Sequence, residues 1–134
     1  MIVDTSALIA ILLNEPDAEM LSAAIAAATP RIISAVSALE TSIVIESKKG
    51  EAGLVLLDEL LNIAQFEIVA FDEAQQRIAR AAYRQYGKGR HPAGLNFGDC
   101  CAYALAKVRN ETLLFKGNDF NQTDIAPTPL FPSH

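Results

Sequence analysis

The chain has 134 residues, 51% of them hydrophobic, which suits one domain over residues 1–134 with a real core and excludes disorder. Its formal net charge of −5 argues against a generally basic nucleic-acid-binding surface, although acids gathered in one pocket would leave a basic patch elsewhere intact. No run approaches the ~20 apolar residues of a membrane span, the N-terminus lacks the basic flank of a signal peptide, and the two cysteines, Cys100 and Cys101, are neighbours, so the expectation is a cytoplasmic, reduced protein with no membrane contact.

In chain order, Ile2 to Asp4 reads as a first strand, and Thr5 to Asn14 as a helix. Pro16 fits the first turn of a second helix, continued by "AEMLSAAIAAA". "RIIS" is a second strand after Pro30. Ser37 to Lys49 is helical and closed by Gly50, and "GLVLLDELLNIA" is a further amphipathic helix. "FEIVA" is a third strand. "DEAQQRIARAAYRQY" opens with a capping box, Asp72 with Gln75, and runs to Tyr86. After a loop of about ten residues, "FGDCCAYALAKVR" is the last long helix and "TLLF" the fourth strand, and Pro127, Pro129 and Pro132 make the tail irregular. Adjacent residues on a helix point about 100° apart, so Cys100 and Cys101 make a poor disulfide and poor metal ligands, and read as small buried residues. Short strands alternating with helices imply an α/β fold, a parallel sheet covered on both faces, with sites at the carboxyl ends of the strands.

That edge gives four acids a common address. Asp4 is the only charge among the first thirteen residues and ends the first strand, where an unpaired charge costs most. Glu40 follows the second strand and Asp119 the fourth. Asp99 opens the last long helix. The helix from Asp72 to Tyr86 descends from the edge by about 22 Å. The loop to Asn96 can climb back roughly 30 Å, and the next helix must descend again to feed a parallel strand. Each acid also has an ordinary explanation. Asp4 can cap the helix that begins at Thr5 or Ser6, Glu40 can close a capping box with Ser37, Asp99 can favour a helix start capped by Asn96, and Asp119 is a common turn residue. Together, four carboxylates repel one another unless a cation sits among them. An all-oxygen set suits Mg²⁺ or Mn²⁺, and Thr5, Ser6, Ser37 and Asn96 stand near enough in sequence to orient the ligands. Such an ion suits phosphoryl chemistry. The basic stretch "YRQYGKGRH" offers Arg84, Lys88 and Arg90 as phosphate contacts, with a plain solvated loop as the other reading. His91 reads as a residue meeting phosphate or solvent, and His134 as a tail residue.

"MIVDTSAL", "SALE", "LNFGDCCAYALA" and "LLFKGNDFNQTDI" resemble, in order and spacing, the blocks of PIN-domain ribonucleases, closest to the VapC toxins of toxin–antitoxin pairs. The resemblance covers essentially the whole chain. It implies a three-layer α/β/α fold with a short central parallel sheet. It also implies Mg²⁺-dependent endonuclease action on RNA leaving 5′-phosphate and 3′-hydroxyl ends, a VapB-like antitoxin, and a homodimer. The metal-site acids of the family carry over to Asp4, Glu40, Asp99 and Asp119. One departure is Gly117, where many relatives have another Asp, so one ion or two stays open, as does an inactive PIN domain. Two other readings stand beside it. One is a phosphatase with Asp4 as covalent nucleophile, although Ser6 occupies the position of the second acid such enzymes use. The other is a binding module whose acids only cap helices.

Overall fold

Three pairs of neighbouring apolar residues divide the molecule into layers. Side chains alternate across a strand. Ile2, Ile32 and Leu113 enter one core and Val3, Ile33 and Leu114 the other, all six essentially inaccessible to solvent. Both faces of the sheet are therefore covered, the arrangement that near-continuous apolar strands require. The computed structural model describes residues 1–131; Pro132 and His134 lie outside the described residues.

The strands are β1 (Ile2–Val3), β2 (Ile32–Ser34), β3 (Glu67–Val69) and β4 (Leu113–Leu114), all parallel, in the order β3-β2-β1-β4. Helices α1 (Thr5–Leu12), α2 (Ala18–Ala27) and α3 (Ala35–Ile63) cover one face. Helices α4 (Glu73–Tyr86) and α5 (Phe97–Arg109) cover the other. The expected three-layer α/β/α architecture is the one observed. α5 is the most enclosed helix: every residue from Cys100 to Ala106 is buried, and its alanines let it lie close to both the sheet and α4.

Several local expectations shift. α1 ends at Leu12 rather than Asn14, because Asn14 takes a left-handed backbone (φ 52°) that terminates the helix. Pro16 lies in the turn ahead of α2 rather than in its first turn. α3 starts at Ala35, two residues earlier than expected, because Ser34 serves as its N-cap and accepts from Val36 N–H. Ser37 and Glu40 therefore lie inside the helix and form no capping box. The halves of α3 meet at Gly50, whose φ of 62° and ψ of −152° break the helix where glycine alone is at ease. Asp72 caps α4 through Gln75 N–H, but the Gln75 amide turns to the Ala70 carbonyl, so only half the capping box forms. The proline-rich tail is irregular yet docked: Leu113 N–H donates to Ala126, and Thr128 N–H donates to Leu113, along the outer edge of β4.

Candidate active site

The carboxyl ends of β1, β2 and β4 and the start of α5 share one edge. Asp4 follows β1 directly and is the N-cap of α1. It is 4% exposed. Its Oδ2 accepts from Ser6 N–H (3.0 Å) and from Ser6 Oγ (2.6 Å). Burial pushes its carboxyl pKa up; the Ser6 hydrogen bonds oppose this and the charge of Glu40 adds to it. Ser6 Oγ accepts in turn from the N–H of Lys116, just past β4. Ser6 thus ties the ends of two strands to one carboxylate.

Asp99 is the third residue of α5, in a full capping box. Asn96 Oδ1 accepts from Asp99 N–H (2.9 Å), and Asp99 Oδ2 accepts from Asn96 N–H (3.0 Å). Its carboxyl is nevertheless pushed up to about 6. Burial is the main cause, and the charges of Asp4, Asp119 and Glu40 add to it. Asp99 therefore feels the charge of the other three acids.

Glu40 reaches the site by close contact. Its two carboxylate oxygens lie 2.6 Å from the place where a β-carbon on Gly98 would stand. Gly98, one residue before Asp99, is the seat that lets Glu40 approach α5, and sequence reasoning missed it. The available signal was a glycine inside a helix's first turn, which marks close backbone approach. Asp119 sits exposed ahead of a short 3₁₀ helix, Phe120–Gln122, and accepts no capping hydrogen bond.

The ordinary explanations thus divide. Asp4 and Asp99 do cap helices and Asp119 does sit in a turn, whereas Glu40 closes no capping box. The outer residues divide as well. Ser6 and Asn96 bond to acids of the cluster. Thr5 instead donates from Oγ1 to the Ser37 carbonyl (3.2 Å), and Ser37 Oγ is buried with no hydrogen-bond partner among the described residues. As a donor set the four acids fit a hard divalent cation: all oxygen, gathered at one edge and acting on one another. They are not closed into a ready-made shell, since among the described residues no three His, Cys, Asp or Glu side chains form a group that could hold an ion.

A cavity of about 520 Å³ opens between α4 and α5, walled by Phe71, Ala79, Tyr83, Phe97, Cys100 and Cys101; Asn96, which caps α5, lines it, and the four acids do not. Lys88 lines it; so does Arg80, which sequence reasoning did not single out. Arg84 is exposed in the last turn of α4, and the Arg90 guanidinium lies 5.8 Å above the Tyr83 ring. The loop that carries Lys88 and Arg90 is built rather than merely solvated. Lys88 N–H donates to Leu95, and Leu95 N–H donates to Tyr86. His91 is half-exposed and also shapes the loop: its Nδ1 accepts from Ala93 N–H and its ring packs edge-on against Tyr86. Cys100 and Cys101 are buried and unpaired as expected, and burial, with the charges of Asp99 and Glu40 respectively, pushes their thiols up to about 11.

A PIN domain family profile matches residues 1–126. A protein named Ribonuclease VapC from Mycolicibacterium smegmatis is 57% identical over 126 residues, covering 94% of this chain and 98% of the relative. Ribonuclease VapC30 of Mycobacterium tuberculosis is 54% identical over 130 residues, covering 97% and 99%. Among solved structures, Mycobacterium tuberculosis VapC20, described as a sarcin-ricin loop cleaving toxin, superposes with a TM-score of 0.77 at 14% identity, over 93% of this chain and 95% of that one. VapBC2 from Rickettsia felis, solved with a DNA fragment from its promoter, gives a TM-score of 0.70 at 20% identity over 94% of each chain. At those identities the solved structures carry the fold, and the family profile and the two relatives carry the lineage: the chain belongs to the PIN-domain family, among the VapC ribonucleases.

Proposed function

We propose that Asp4, Glu40, Asp99 and Asp119 hold a divalent cation, Mg²⁺ or Mn²⁺, with which the chain cleaves RNA phosphodiester bonds. The chain is a ribonuclease of the VapC kind, the toxin of a toxin–antitoxin pair. The observation that supports the metal reading best is Asp99, which sits in a helix cap at the edge where Asp4, Glu40 and Asp119 also emerge, and whose carboxyl is raised chiefly by burial and further by their three charges. Helix capping alone calls for neither Glu40 seated on Gly98 nor a free Asp119 at the same edge. A bound ion supplies charge neutralisation at the phosphate and an activated water.

The chain's own residues do the rest. Ser6 and Asn96 fix the Asp4 and Asp99 carboxylates, so little ordering is left for the reaction. Gly98 admits Glu40, and Asp119 meets the site from the opposite side of β1. Arg80, Arg84, Lys88 and Arg90 supply positive charge along α4 and its loop for the RNA backbone. Asp4 is a poor covalent nucleophile here, buried and doubly hydrogen-bonded to Ser6, which disfavours the phosphatase reading. Residues 1–134 work as one PIN domain, in the cytoplasm, as a homodimer and with a VapB-like antitoxin. Among the described residues no helix is long and apolar enough to cross a membrane.

The test is cleavage of mixed cellular RNA by purified protein. The expected outcome is cleavage with Mg²⁺ or Mn²⁺, loss of it in EDTA, and 5′-phosphate ends on the products. Cleavage that persists unchanged in EDTA excludes the metal mechanism.

A further inference from the structure

Asp119 lies on a loop that its own side chain does not secure by a capping hydrogen bond. The next residue, Phe120, is buried against Phe115 and anchors the far end. The near end is held by Lys116 in two directions. Its backbone N–H donates to Ser6 Oγ at 2.9 Å, and that hydroxyl donates to Asp4 Oδ2 at 2.6 Å. Its side chain runs the other way, with Nζ 2.7 Å from Glu15 Oε2 and 3.3 Å from Asp17 Oδ1, on the turn between α1 and α2. One residue spans from the Asp4 carboxylate to an acidic pair outside the cluster. Gly117 follows at a φ of 102°, so the chain turns sharply toward Asp119 directly after this double attachment.

We infer that Lys116 is a positioning residue for the metal acids, a strap that fixes the Asp119 loop against the Asp4–Ser6 unit by pairing its ammonium with Glu15 and Asp17. The inference rests on the ion-binding reading above. An ion pair this exposed adds little to global stability. Its effect is local, because it orders the few residues between β4 and Phe120.

Charge alone and the strap predict opposite signs. Removing a cation near a cation site relieves repulsion, so simple Coulomb reasoning has Lys116→Met bind a divalent ion more tightly. The strap has it bind more weakly, by about tenfold, the low end of what outer partners of metal ligands cost. The experiment is a Mn²⁺ titration of metal-free protein without RNA, read by electron paramagnetic resonance. Lys116→Met should weaken binding and Lys116→Arg should recover most of it. The pair Glu15→Gln/Asp17→Asn should weaken binding too, and should add nothing to Lys116→Met, since all three act through one contact. Asp4→Asn separates the two claims. If Asp4→Asn binds Mn²⁺ like the parent, the acid cluster is not the ion site and the strap falls with it. If Asp4→Asn loses the ion while Lys116→Met binds as tightly as the parent or tighter, the ion site stands and the strap is wrong. A Lys116→Met variant unchanged in Mn²⁺ affinity but raised in KM for RNA would make Lys116 a substrate contact and overturn the inference.

Discussion

A carboxylate's surroundings decide whether its charge is a burden or a tool. Glu40 lies in mid-helix, so no cap depends on it, and Gln reproduces its shape without its charge. Glu40→Gln should keep the parent melting temperature within a degree or two while cleavage falls on the order of 10²-fold, as expected when a metal-site carboxylate is lost. A melting curve beside an RNA cleavage rate checks this, and normal cleavage would remove Glu40 from the site. Asp99 tests the crowding itself. Its carboxyl titrates near 6 when folded against an ordinary 3.8. The folded state therefore binds more protons than the unfolded state between those values, and stability falls as pH rises through that window. The cost is complete above about 6 and persists at pH 7. Asn keeps the acceptor that Asn96 N–H uses and drops the charge. Metal-free Asp99→Asn should be more stable than the parent at pH 7, on the order of 1 kcal/mol after allowance for its partial exposure. The difference should vanish near pH 3.5, where the parent's Asp99 is also neutral. In Mg²⁺ the order should reverse, because only the parent gains from folded-state binding. Denaturant melts in EDTA and in Mg²⁺ at both pH values measure all of this; a variant less stable than the parent in EDTA at pH 7 would make Asp99 a cap and nothing more.

Elements meet in this site through a missing side chain. α3 and α5 approach so closely that the absence of a side chain at Gly98 leaves the Glu40 carboxylate its place. Ala is a better helix former than Gly. The atoms in its way belong to the far end of a flexible side chain, so Glu40 can swing aside at little cost to the fold. Gly98→Ala should therefore melt at or slightly above the parent temperature yet cleave RNA many-fold more slowly. Retained activity would mean that Glu40 works from another rotamer. Gly117 is the contrary case. A β-carbon there would meet nothing, but the φ of 102° strains any L side chain. An acid placed at that position would need the loop to move first.

At the scale of the whole molecule, two cores share one thin sheet, and α5 lies at the centre of one of them. Cys100 and Cys101 sit inside that helix, almost without exposure to bulk solvent although they wall the cavity, and with thiols raised to about 11 they are not ionised near neutral pH. They should react with a thiol reagent at pH 7.5 only as fast as α5 exposes them. The labelling rate should therefore track global stability across denaturant, and mass spectrometry of the labelled chain checks it. Rapid labelling of the native protein would show that reagent reaches the thiols through the cavity or that α5 opens locally.

Chain order and periodicity alone carried much of this molecule. Apolar strands such as Ile32–Ser34 cannot alternate polar and apolar residues because both their faces are buried, so they announced a parallel sheet, and that sheet announced where its loops emerge. Asp4 and Asp99 were legible as caps because capping is local: the partner N–H lies two or three residues away. The resemblance supplied the family. What the tertiary structure decided were contacts between residues far apart in sequence. Ser34, not Ser37, starts α3, because the last residue of β2, still paired with Val69 of β3, carries the side-chain oxygen that accepts from Val36 N–H. Glu40 seats on Gly98, 58 positions on, and Lys116 reaches back past a hundred residues to Ser6 and Glu15. No local pattern encodes such meetings. They follow from how closely two helices pack and where two strand ends lie side by side, and both are settled only when the whole core has closed.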